Sequence, residues 1–510
     1  MPSVQAIVAS LTVPTDTGEA GISCSLRSHG TTQLQIKVVY PFRNQRSSRF
    51  RTDVFVVVPQ QISITLDERG RRSLLDDTRS NTRFTVANMP LSALADQDHP
   101  DNPVSRIIAH IENPSKPGKL DTNRIGYEMR TFCNLFTFQL KSLVRVIQQA
   151  VRDESRRADG VRAGKDTIRD VKRTLATFRD LRRALLDPAV PDEVRSTHIL
   201  ADEFLGDQTV RHLLGLSSIL SRESSMEKLH GQIEKMIERE LEYQQERGYS
   251  AVRSDTTNPD DARALEKLIV RESRLKKWVQ SVLYMDVAES GVPRRVGHIA
   301  ASLAAAMAMS IAVAAAFFAD RMYASYSVPW ALLIVGSYIV KDRIKEILRS
   351  VLVRFFPIAI ADRTRILKDP ATQRTAGRAR LAIRSIDPGA VPQRGETEAH
   401  DELLSETVEH SAVVFSSLVR LKGSRLLKSH RRVNGIMDIT RIRLDQWLRD
   451  MDAPTKGIRL FMGRRPVSTS GPRTYRIQVA VRLMTDDGEV DSIKFWTIIL
   501  TREGILRVES

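Results

Sequence analysis

The chain has 510 residues, of which 42% are hydrophobic and 27% are charged, and its formal net charge is +17. This composition excludes global disorder, and the length exceeds what one hydrophobic core usually serves, so we expect three or more structural units. The two cysteines form neither a CxxC motif nor a metal-ligand spacing, which favours a reducing cytoplasm over an oxidising exterior.

Residues 1–115 are predicted to form a β-rich domain. Apolar and polar side chains alternate over Leu34–Tyr40, and a continuous apolar run, Val54–Val58, ends at Pro59. Ile62–Leu66 repeats the alternation. Such patterns are typical of strands with one or both faces buried.

Residues 120–290 are predicted to form a cytoplasmic helical bundle or coiled-coil-like stalk. Apolar residues recur at intervals of three or four between Met129 and Ala150, which is the stripe of a long amphipathic helix. Further helical patterns cover about 166–186, 207–221, 226–247 and 260–284. The last has start signals, because Asn258 can cap the helix and Pro259 suits its first position.

Residues 296–340 are predicted to be a transmembrane helical hairpin. Val296–Ala319 and Met322–Val340 are runs of 24 and 19 residues without Asp, Glu, Lys or Arg, and two residues separate them. As helices they would be about 36 and 28 Å long, close to the roughly 30 Å hydrocarbon core of a bilayer. No cleavable signal peptide is expected, because Met1–Leu11 lacks a basic start and a long apolar run.

Two sets of residues predict how this hairpin packs and which way it faces. Small side chains at every fourth position of the first helix would let the second helix or another protomer approach closely. This ridge is Ala300, Ala304, Ala308, Ala312 and Ala316. The basic residues that flank the hairpin are Arg294, Arg295, Lys341, Arg343, Lys345, Arg349 and Arg354. By the positive-inside bias we expect both termini to be cytoplasmic, in a bacterial inner membrane.

Residues 341–400 are predicted to be a basic juxtamembrane helix followed by a linker. Between Lys341 and Arg394 the sequence holds 13 basic and 5 acidic residues, so much of the positive charge adjoins the membrane segment. Anionic lipid is therefore the simplest counter-charge. A helix that extends into the cytosolic bundle is the alternative.

Residues 401–510 are predicted to be a mixed α/β domain that ends in a β-hairpin. Helical patterns cover Asp401–Leu427 and about 439–450, and then Ile477–Leu483 and Lys494–Thr501 alternate as strands around the turn Asp486–Gly488. Ile505–Val508 could add a third strand. The sequence leaves open whether these strands share a sheet with the N-terminal ones.

The motifs that could carry chemistry fit their templates poorly. Gly160–Thr167 approximates a phosphate-binding loop, but its glycines are one residue too close and Asp166 replaces the hydroxyl, so we predict a loop between helices. Glu402, Glu406 and His410 share one helical face, but a metal site would need a second such helix. We interpret them as a solvated acidic face, and we predict no catalytic residue, no metal and no cofactor.

The sequence thus predicts an α+β membrane protein made of these five segments. The preferred function is a non-enzymatic scaffold or signalling component that forms a homo-oligomer and contacts anionic lipids and an unidentified cytoplasmic protein. Nucleic acid is a less favoured partner, because the dispersed arginines form no recognised binding motif. One alternative is an effector whose hairpins assemble into a pore when the cytosolic domains are triggered. The other is an enzyme, which a cluster of perturbed pKa values in a deep pocket would favour.

Overall fold

The structure is a computed structural model of the chain. It describes residues 22–59, 62, 68–113, 120–223, 226–249, 261–289, 292–323, 327–355, 361–392, 410–430, 432–463, 465–485 and 489–509. Within these residues the protein is α+β, with fourteen strands and twelve α-helices.

The strands and helices are numbered separately in chain order. The strands are β1 Ser23–Ser28, β2 Gln33–Pro41, β3 Ser48–Pro59, β4 Thr78–Phe84, β5 Asp286–Glu289, β6 Arg363–Lys368, β7 Thr375–Ile386, β8 His410–Leu421, β9 Gly435–Arg443, β10 Thr455–Met462, β11 Arg465–Pro472, β12 Tyr475–Met484, β13 Val490–Thr501 and β14 Gly504–Glu509. The helices are α1 Glu68–Asp77, α2 Leu91–Ala95, α3 Pro103–Glu112, α4 Thr122–Arg152, α5 Arg157–Ala184, α6 Asp192–Leu220, α7 Glu227–Glu246, α8 Ala262–Gln280, α9 Val292–Met322, α10 Val328–Phe355, α11 Gly423–Ser429 and α12 Asp445–Arg449.

Strands from both ends of the chain share the two larger sheets. The eight-stranded sheet has the order β14-β13-β12-β3-β8-β7-β6-β5, and the four-stranded sheet has the order β1-β2-β9-β4. All neighbouring strands in both sheets are antiparallel. One hydrophobic core joins the sheets and includes Ile36, Phe50, Val56, Ile442 and Ile477. The two ends of the chain, which the sequence-based boundaries assign to separate domains, therefore form two sheets and one core together.

Two segments predicted to be helical are strands instead. The helix predicted over Asp401–Leu427 is wrong for residues 410–421, which form β8, while residues 401–409 lie outside the described part of the chain. Because β8 lies between β3 and β7, both Val413 and Val414 are buried, and β-branched residues suit such a strand. Likewise, residues 439–443 of the helix predicted over about 439–450 belong to β9, and only the part in α12 is helical. An apolar run buried on both faces has the same composition in a helix or a strand.

Other predicted strands are confirmed. β2 and β3 contain the runs predicted at Leu34–Tyr40 and Val54–Val58. β12 and β13 pair as a hairpin, and β14 adds the third strand. The predicted turn Asp486–Gly488 and most of the run at Ile62–Leu66 lie outside the described residues.

The segment between β4 and β5 is a helical bundle with a core of its own. That core includes Phe132, Phe136, Phe178, Leu205 and Ile233, and helices α4 to α8 confirm the helical segments expected there. The loop predicted at Gly160–Thr167 is wrong, because these residues lie inside α5. A Cβ on Gly164 would lie 2.7 Å from Leu229 Cδ2 of α7, so this glycine permits close helix packing instead of binding phosphate.

Helices α9 and α10 pack against each other as a pair. Trp330 Nε1 donates to Asp320 Oδ1 across the connection, at 3.3 Å. Among the described residues, one helix is long and apolar enough to cross a membrane, over Ser302–Met322, judged by length and composition alone. The second predicted span is shorter than expected, because α10 begins only at Val328. Its apolar part up to Val340 is 13 residues, or about 20 Å against a hydrocarbon core of about 30 Å.

The helical pair leaves the eight-stranded sheet at one end. β5 ends at Glu289, α9 begins at Val292, and after α10 the chain re-enters the sheet at Arg363 of β6. Through the antiparallel ladders the same end holds the end of β3, the start of β8 and the start of β12. We call this the root end of the sheet. The opposite end, the turn end, holds the β6–β7 turn, Asp369–Arg374.

Candidate functional site

A cavity of about 860 Å³ lies where the helical bundle meets the two large sheets. Its walls come from the end of β4, from α3 and α4, from the 3-10 turn Ser281–Leu283, from the β6–β7 turn and from His430, Arg432 and Val433. Clefts of this size, in which a few polar groups converge, are the usual place for small molecules to bind. The cavity is therefore the first candidate for a functional site.

His430 lines one wall of the cavity and is paired with the buried Asp369 behind it. His430 Nε2 lies 2.8 Å from Asp369 Oδ2, and the two side chains are 5% and 4% exposed. Thr372 Oγ1 donates to the same oxygen at 2.7 Å, and the Ala371 N–H donates to Oδ1 at 3.0 Å. Burial by itself would raise the pKa of Asp369, but these hydrogen bonds and the charge of His430 lower it below its ordinary value. The ionised carboxylate therefore fixes the orientation of the imidazole.

Tyr127 of α4 lies on the other side of that imidazole. Its hydroxyl is 3.4 Å from His430 Nδ1, and the ring of Phe84 lies 4.6 Å from the imidazole, centroid to centroid. Burial raises the pKa of Tyr127 to about 12 against the opposing charge of Arg432. The phenol is thus neutral near pH 7 and can donate to Nδ1 when Nε2 carries the imidazole proton. Carboxylate, imidazole and phenol form a continuous chain along the wall.

A second buried pair joins α4 to the segment that precedes β9. Arg432 Nη2 donates to Glu128 Oε1 at 2.8 Å, and Nη1 lies 2.6 Å from Oε2 in a poorly aligned ionic contact. Arg106 Nη1 of α3 lies 3.8 Å from Oε1 of the same carboxylate, and Arg106 Nη2 donates to Asp101 at 3.2 Å. The carboxylate of Glu128 therefore binds the bundle to the sheets at the cavity.

Positive charge dominates the lining of the cavity. The charged side chains are Arg106, Arg124, Arg130 and Arg432 against Asp121 and Glu128. Arg130 is held in place, because Nε donates to the Gly126 carbonyl at 2.9 Å and Nη1 donates to Ser281 Oγ at 3.0 Å. Burial, aided by the charge of Arg124, lowers the pKa of His110, and the neutral imidazole adds one donor and one acceptor without a fixed charge. The arrangement suits a small anionic ligand.

The bundle contains another buried polar network, centred on Arg179. Arg179 Nε donates to Asp202 at 2.9 Å, Nη2 donates to Glu240 at 2.6 Å, and the hydroxyls of Tyr243 and Tyr249 donate to the other oxygen of Asp202 at 2.7 and 2.5 Å. Burial raises the pKa of both tyrosines and of Glu240. The network joins α5, α6 and α7, and its groups satisfy one another, so we assign it to packing.

The residues singled out from sequence lie elsewhere, on the helical pair. Ala304 and Ala308 are buried, Ala312 and Ala316 are half-buried, and the side chain of Ala300 lies outside the described part. Lys341 Nζ lies 3.5 Å from the ring centroid of Tyr338.

The flanking basic residues also lie on these helices. Arg343 Nη1 lies 3.9 Å from Glu346 Oε2, and Lys345 is exposed. The side chains of Arg294, Arg295, Arg349 and Arg354 lie outside the described part. The roles of the ridge and of these basic residues in a membrane stay predictions.

The acidic set around His410 is not brought together on a helix. His410 begins β8, and Glu402 and Glu406 lie outside the described residues. Within the described ranges no group of three or more His, Cys, Asp and Glu side chains could hold a metal ion.

The residues that line the cavity were missed for lack of a local signal. Glu128 and Arg432 are 304 positions apart, and Asp369 and His430 are 61 apart. No motif spacing links such positions. Comparison with protein-family models, with curated proteins and with solved structures finds no match for this chain.

Proposed function

We propose that this chain is a regulatory protein anchored in the bacterial inner membrane, whose cytoplasmic part binds a small anionic ligand in the cavity beside Arg432. In this proposal α9 and α10 form the anchoring hairpin, with both termini in the cytoplasm and the flanking basic residues at anionic lipid. The bundle and sheets then transmit the state of the cavity to a cytoplasmic protein or to a second copy of the chain.

The observation that carries the proposal is the placement of an electropositive cavity between two structural units. Its arginines come from α3, α4 and the segment before β9, so a bridging anion would contact the bundle and the sheets at once. If the bundle and the sheets can adopt two relative arrangements, a ligand shifts the equilibrium between them by the difference between its affinities for the two. The cavity therefore has the position that a regulatory ligand requires.

A chain of contacts leads from the cavity towards α9. In the β6–β7 turn Thr372 lines the cavity and donates to Asp369, and in the same turn Gln373 Nε2 donates to Asp286 Oδ2 at 2.7 Å. Asp286 begins β5, the edge strand after which α9 starts. Displacement of the turn by a ligand would thus reach the strand that precedes the membrane segment.

Ligand binding is tested on the purified full chain with pyrophosphate, ATP and citrate as anionic probes. We expect at least one probe to raise the midpoint temperature of thermal unfolding. At a concentration 100 times its dissociation constant, the probe should stabilise the folded state by about 2.7 kcal/mol. Arg124→Gln and Arg130→Gln should each weaken the affinity for that probe at least tenfold. The matched control Arg183→Gln, at a side chain 88% exposed outside the cavity, should leave it unchanged. Equal probe responses in all four proteins would reject the cavity as the site.

Membrane topology is tested separately with a periplasmic reporter, alkaline phosphatase, fused at three positions. The hairpin predicts activity at Ser325 and silence at Ser290 and Ser510. If α9 alone spans the bilayer, as the short apolar part of α10 would allow, Ser290 and Ser510 fall on opposite sides. If alkaline phosphatase is inactive at all three positions, the proposed membrane anchoring is refuted.

An enzyme is the second candidate, because the Asp369–His430–Tyr127 chain has the parts of an acid–base system. The carboxylate orients the imidazole, and the neutral phenol can donate a hydrogen bond to Nδ1 until a substrate takes its place. Both imidazole nitrogens have partners, so His430 would act only after a substrate displaced Tyr127. Turnover of p-nitrophenyl acetate or phosphate that is lost in His430→Gln and reduced in Tyr127→Phe would favour this candidate over simple binding.

A further inference from the structure

β10 and β11 form an arm that stands apart from both large sheets. Among the described strands they pair only with each other, from Thr455 opposite Pro472 at the base to Met462 opposite Arg465 at the tip. All their residues except Gly471 are exposed. Because an isolated two-stranded ribbon is at best marginally stable in water, we expect the arm to contact another surface.

The arm exposes apolar side chains on one face and at its tip. Neighbours along a strand point to opposite faces, so Ile458, Leu460 and Met462 share a face with Val467 across the ladder. These four side chains are 46%, 43%, 62% and 42% exposed. Phe461, near the tip on the other face, is 75% exposed. A contiguous exposed patch of this kind marks a contact site for a protein or a membrane.

The charges of the arm are all positive. Thr455–Pro472 contains Lys456, Arg459, Arg464 and Arg465 and no Asp or Glu. Two copies of the arm packed together would bring like charges close, whereas anionic lipid headgroups would be complementary. Apolar residues on one face combined with basic residues around them are typical of segments that lie in a membrane interface.

The arm also begins at the root end of the eight-stranded sheet. Two residues connect β11 to β12, whose first residue, Tyr475, lies at that end, and the Arg473 N–H donates to the Pro454 carbonyl at 2.8 Å across the base. α9 and α10 leave the sheet at the same end. β12 and β6 are four strands apart in the sheet, or about 19 Å, and a strand of the arm's length reaches about 26 Å. The arm and the helical pair can therefore meet one surface.

We propose that the β10–β11 arm lies against the cytoplasmic leaflet of the membrane, with Ile458, Leu460, Met462 and Val467 at the boundary of headgroups and acyl chains. Lys456 and Arg465, which lie on the same face, then contact anionic headgroups. The proposal rests on the proposed anchoring by α9 and α10, which would bring the root end to the bilayer. It adds a second membrane contact with its own chemistry.

Environment-sensitive labels on the full chain test the arm directly. Met462→Cys carries the label on the apolar face, and Ser468→Cys is the matched control on the opposite face. The native Cys24 and Cys133 are buried, so labelling of the folded protein is directed to the new thiol. The protein is reconstituted into vesicles of phosphatidylcholine alone or mixed with phosphatidylglycerol, with doxyl-lipid quenchers in the acyl chains.

The expected result is a blue shift and doxyl quenching at position 462 that strengthen with phosphatidylglycerol, while position 468 stays accessible to iodide. Equal iodide quenching at both positions in every vesicle would overturn the proposal. So would a buried label at 462 that persists in detergent and increases with protein concentration, because that result identifies a second copy as the partner.

Flotation and carbonate extraction of the same samples separate this proposal from membrane anchoring by the helical pair. Leu460→Asp with Met462→Asp should abolish the label response at a third site, Val467→Cys, and leave carbonate resistance intact. If the chain proves extractable, arm binding is read from flotation, which should require phosphatidylglycerol and fall about fivefold for Lys456→Gln or Arg465→Gln. If flotation of an extractable chain depends neither on phosphatidylglycerol nor on Lys456→Gln and Arg465→Gln, the arm contact is refuted.

Discussion

The Glu128–Arg432 pair allows a quantitative test of how the bundle is held to the sheets. Glu128→Gln leaves the guanidinium of Arg432, whose side chain is 9% exposed, without its carboxylate partner. Arg432→Gln leaves Glu128 with Arg106, whose Nη1 is 3.8 Å away. Both single substitutions should therefore destabilise the junction, and Glu128→Gln should do so more strongly.

The magnitude follows from the burial and the spacing of the charges. At a separation of about 4 Å and an effective dielectric constant of about 20, the attraction is about 4 kcal/mol. Removing one partner of a buried pair usually costs about 3–5 kcal/mol, because the remaining charge stays desolvated. We expect a loss of about 4 kcal/mol for Glu128→Gln and about 2 kcal/mol for Arg432→Gln. The double variant with methionine at both positions should lose only about 1 kcal/mol, since no buried charge remains.

Hydrogen exchange of the amides of α4 in the full chain reports the junction locally. Chemical denaturation supplies the second measurement, and the difference between variants is more reliable than either absolute value. Arg183→Gln, at an exposed side chain, is the control and should change stability by less than about 0.5 kcal/mol. Equal losses in the two single variants, or a double variant as unstable as Glu128→Gln, would show that the pair does not act as an isolated buried ion pair.

Three further outcomes are expected. In α6, a Cβ on Gly206 would lie 2.5 Å from Glu240 Oε1, whereas one on Gly215 would have open space. Thermal unfolding should therefore show a loss of about 2 kcal/mol for Gly206→Ala and a gain of about 0.5–1 kcal/mol for Gly215→Ala. Burial lowers the pKa of His212 to about 4, so stability should fall as the pH drops from about 6.5 to about 4, by about 2 kcal/mol relative to His212→Gln. The pKa of Asp369 is lowered, so Asp369→Asn should be less stable than wild type at neutral pH, and denaturation curves should converge as the pH falls below about 4.

The helices could be predicted from sequence because their signal is local. The apolar stripe from Met129 to Ala150 recurs at the period of one helix and lies in α4. Strand partners carry no such signal, since Asp53 of β3 lies opposite Arg482 of β12, 429 positions away. The side chains alternate correctly in β3 and in β12, but alternation does not identify the neighbouring strand. The joint sheets could therefore not be derived from the pattern of either end.

The candidate site was beyond sequence reasoning for a related reason. Tyr127 and Glu128 are consecutive residues of α4 just before the apolar stripe begins at Met129, and a tyrosine and a glutamate are ordinary helix residues there. They become part of a site only because the β6–β7 turn and the segment before β9 reach the same cavity. The near match to a phosphate-binding loop at Gly160–Thr167 lies inside a helix, where Gly164 permits close packing, so closeness in sequence was a poor guide to chemistry here.

The β6–β7 turn is the element on which the proposed coupling depends. It presents Thr372 to the cavity and Gln373 to Asp286 of β5, and Gln373 has a φ of 55°, a conformation that non-glycine residues rarely adopt. β5 has only four residues and pairs only with β6 among the described strands. Such a short edge strand has few bonds to lose, so its opening should cost much less than unfolding of the central strands. A ligand that tightened or released the turn would therefore act first on β5, which is also the last strand before α9.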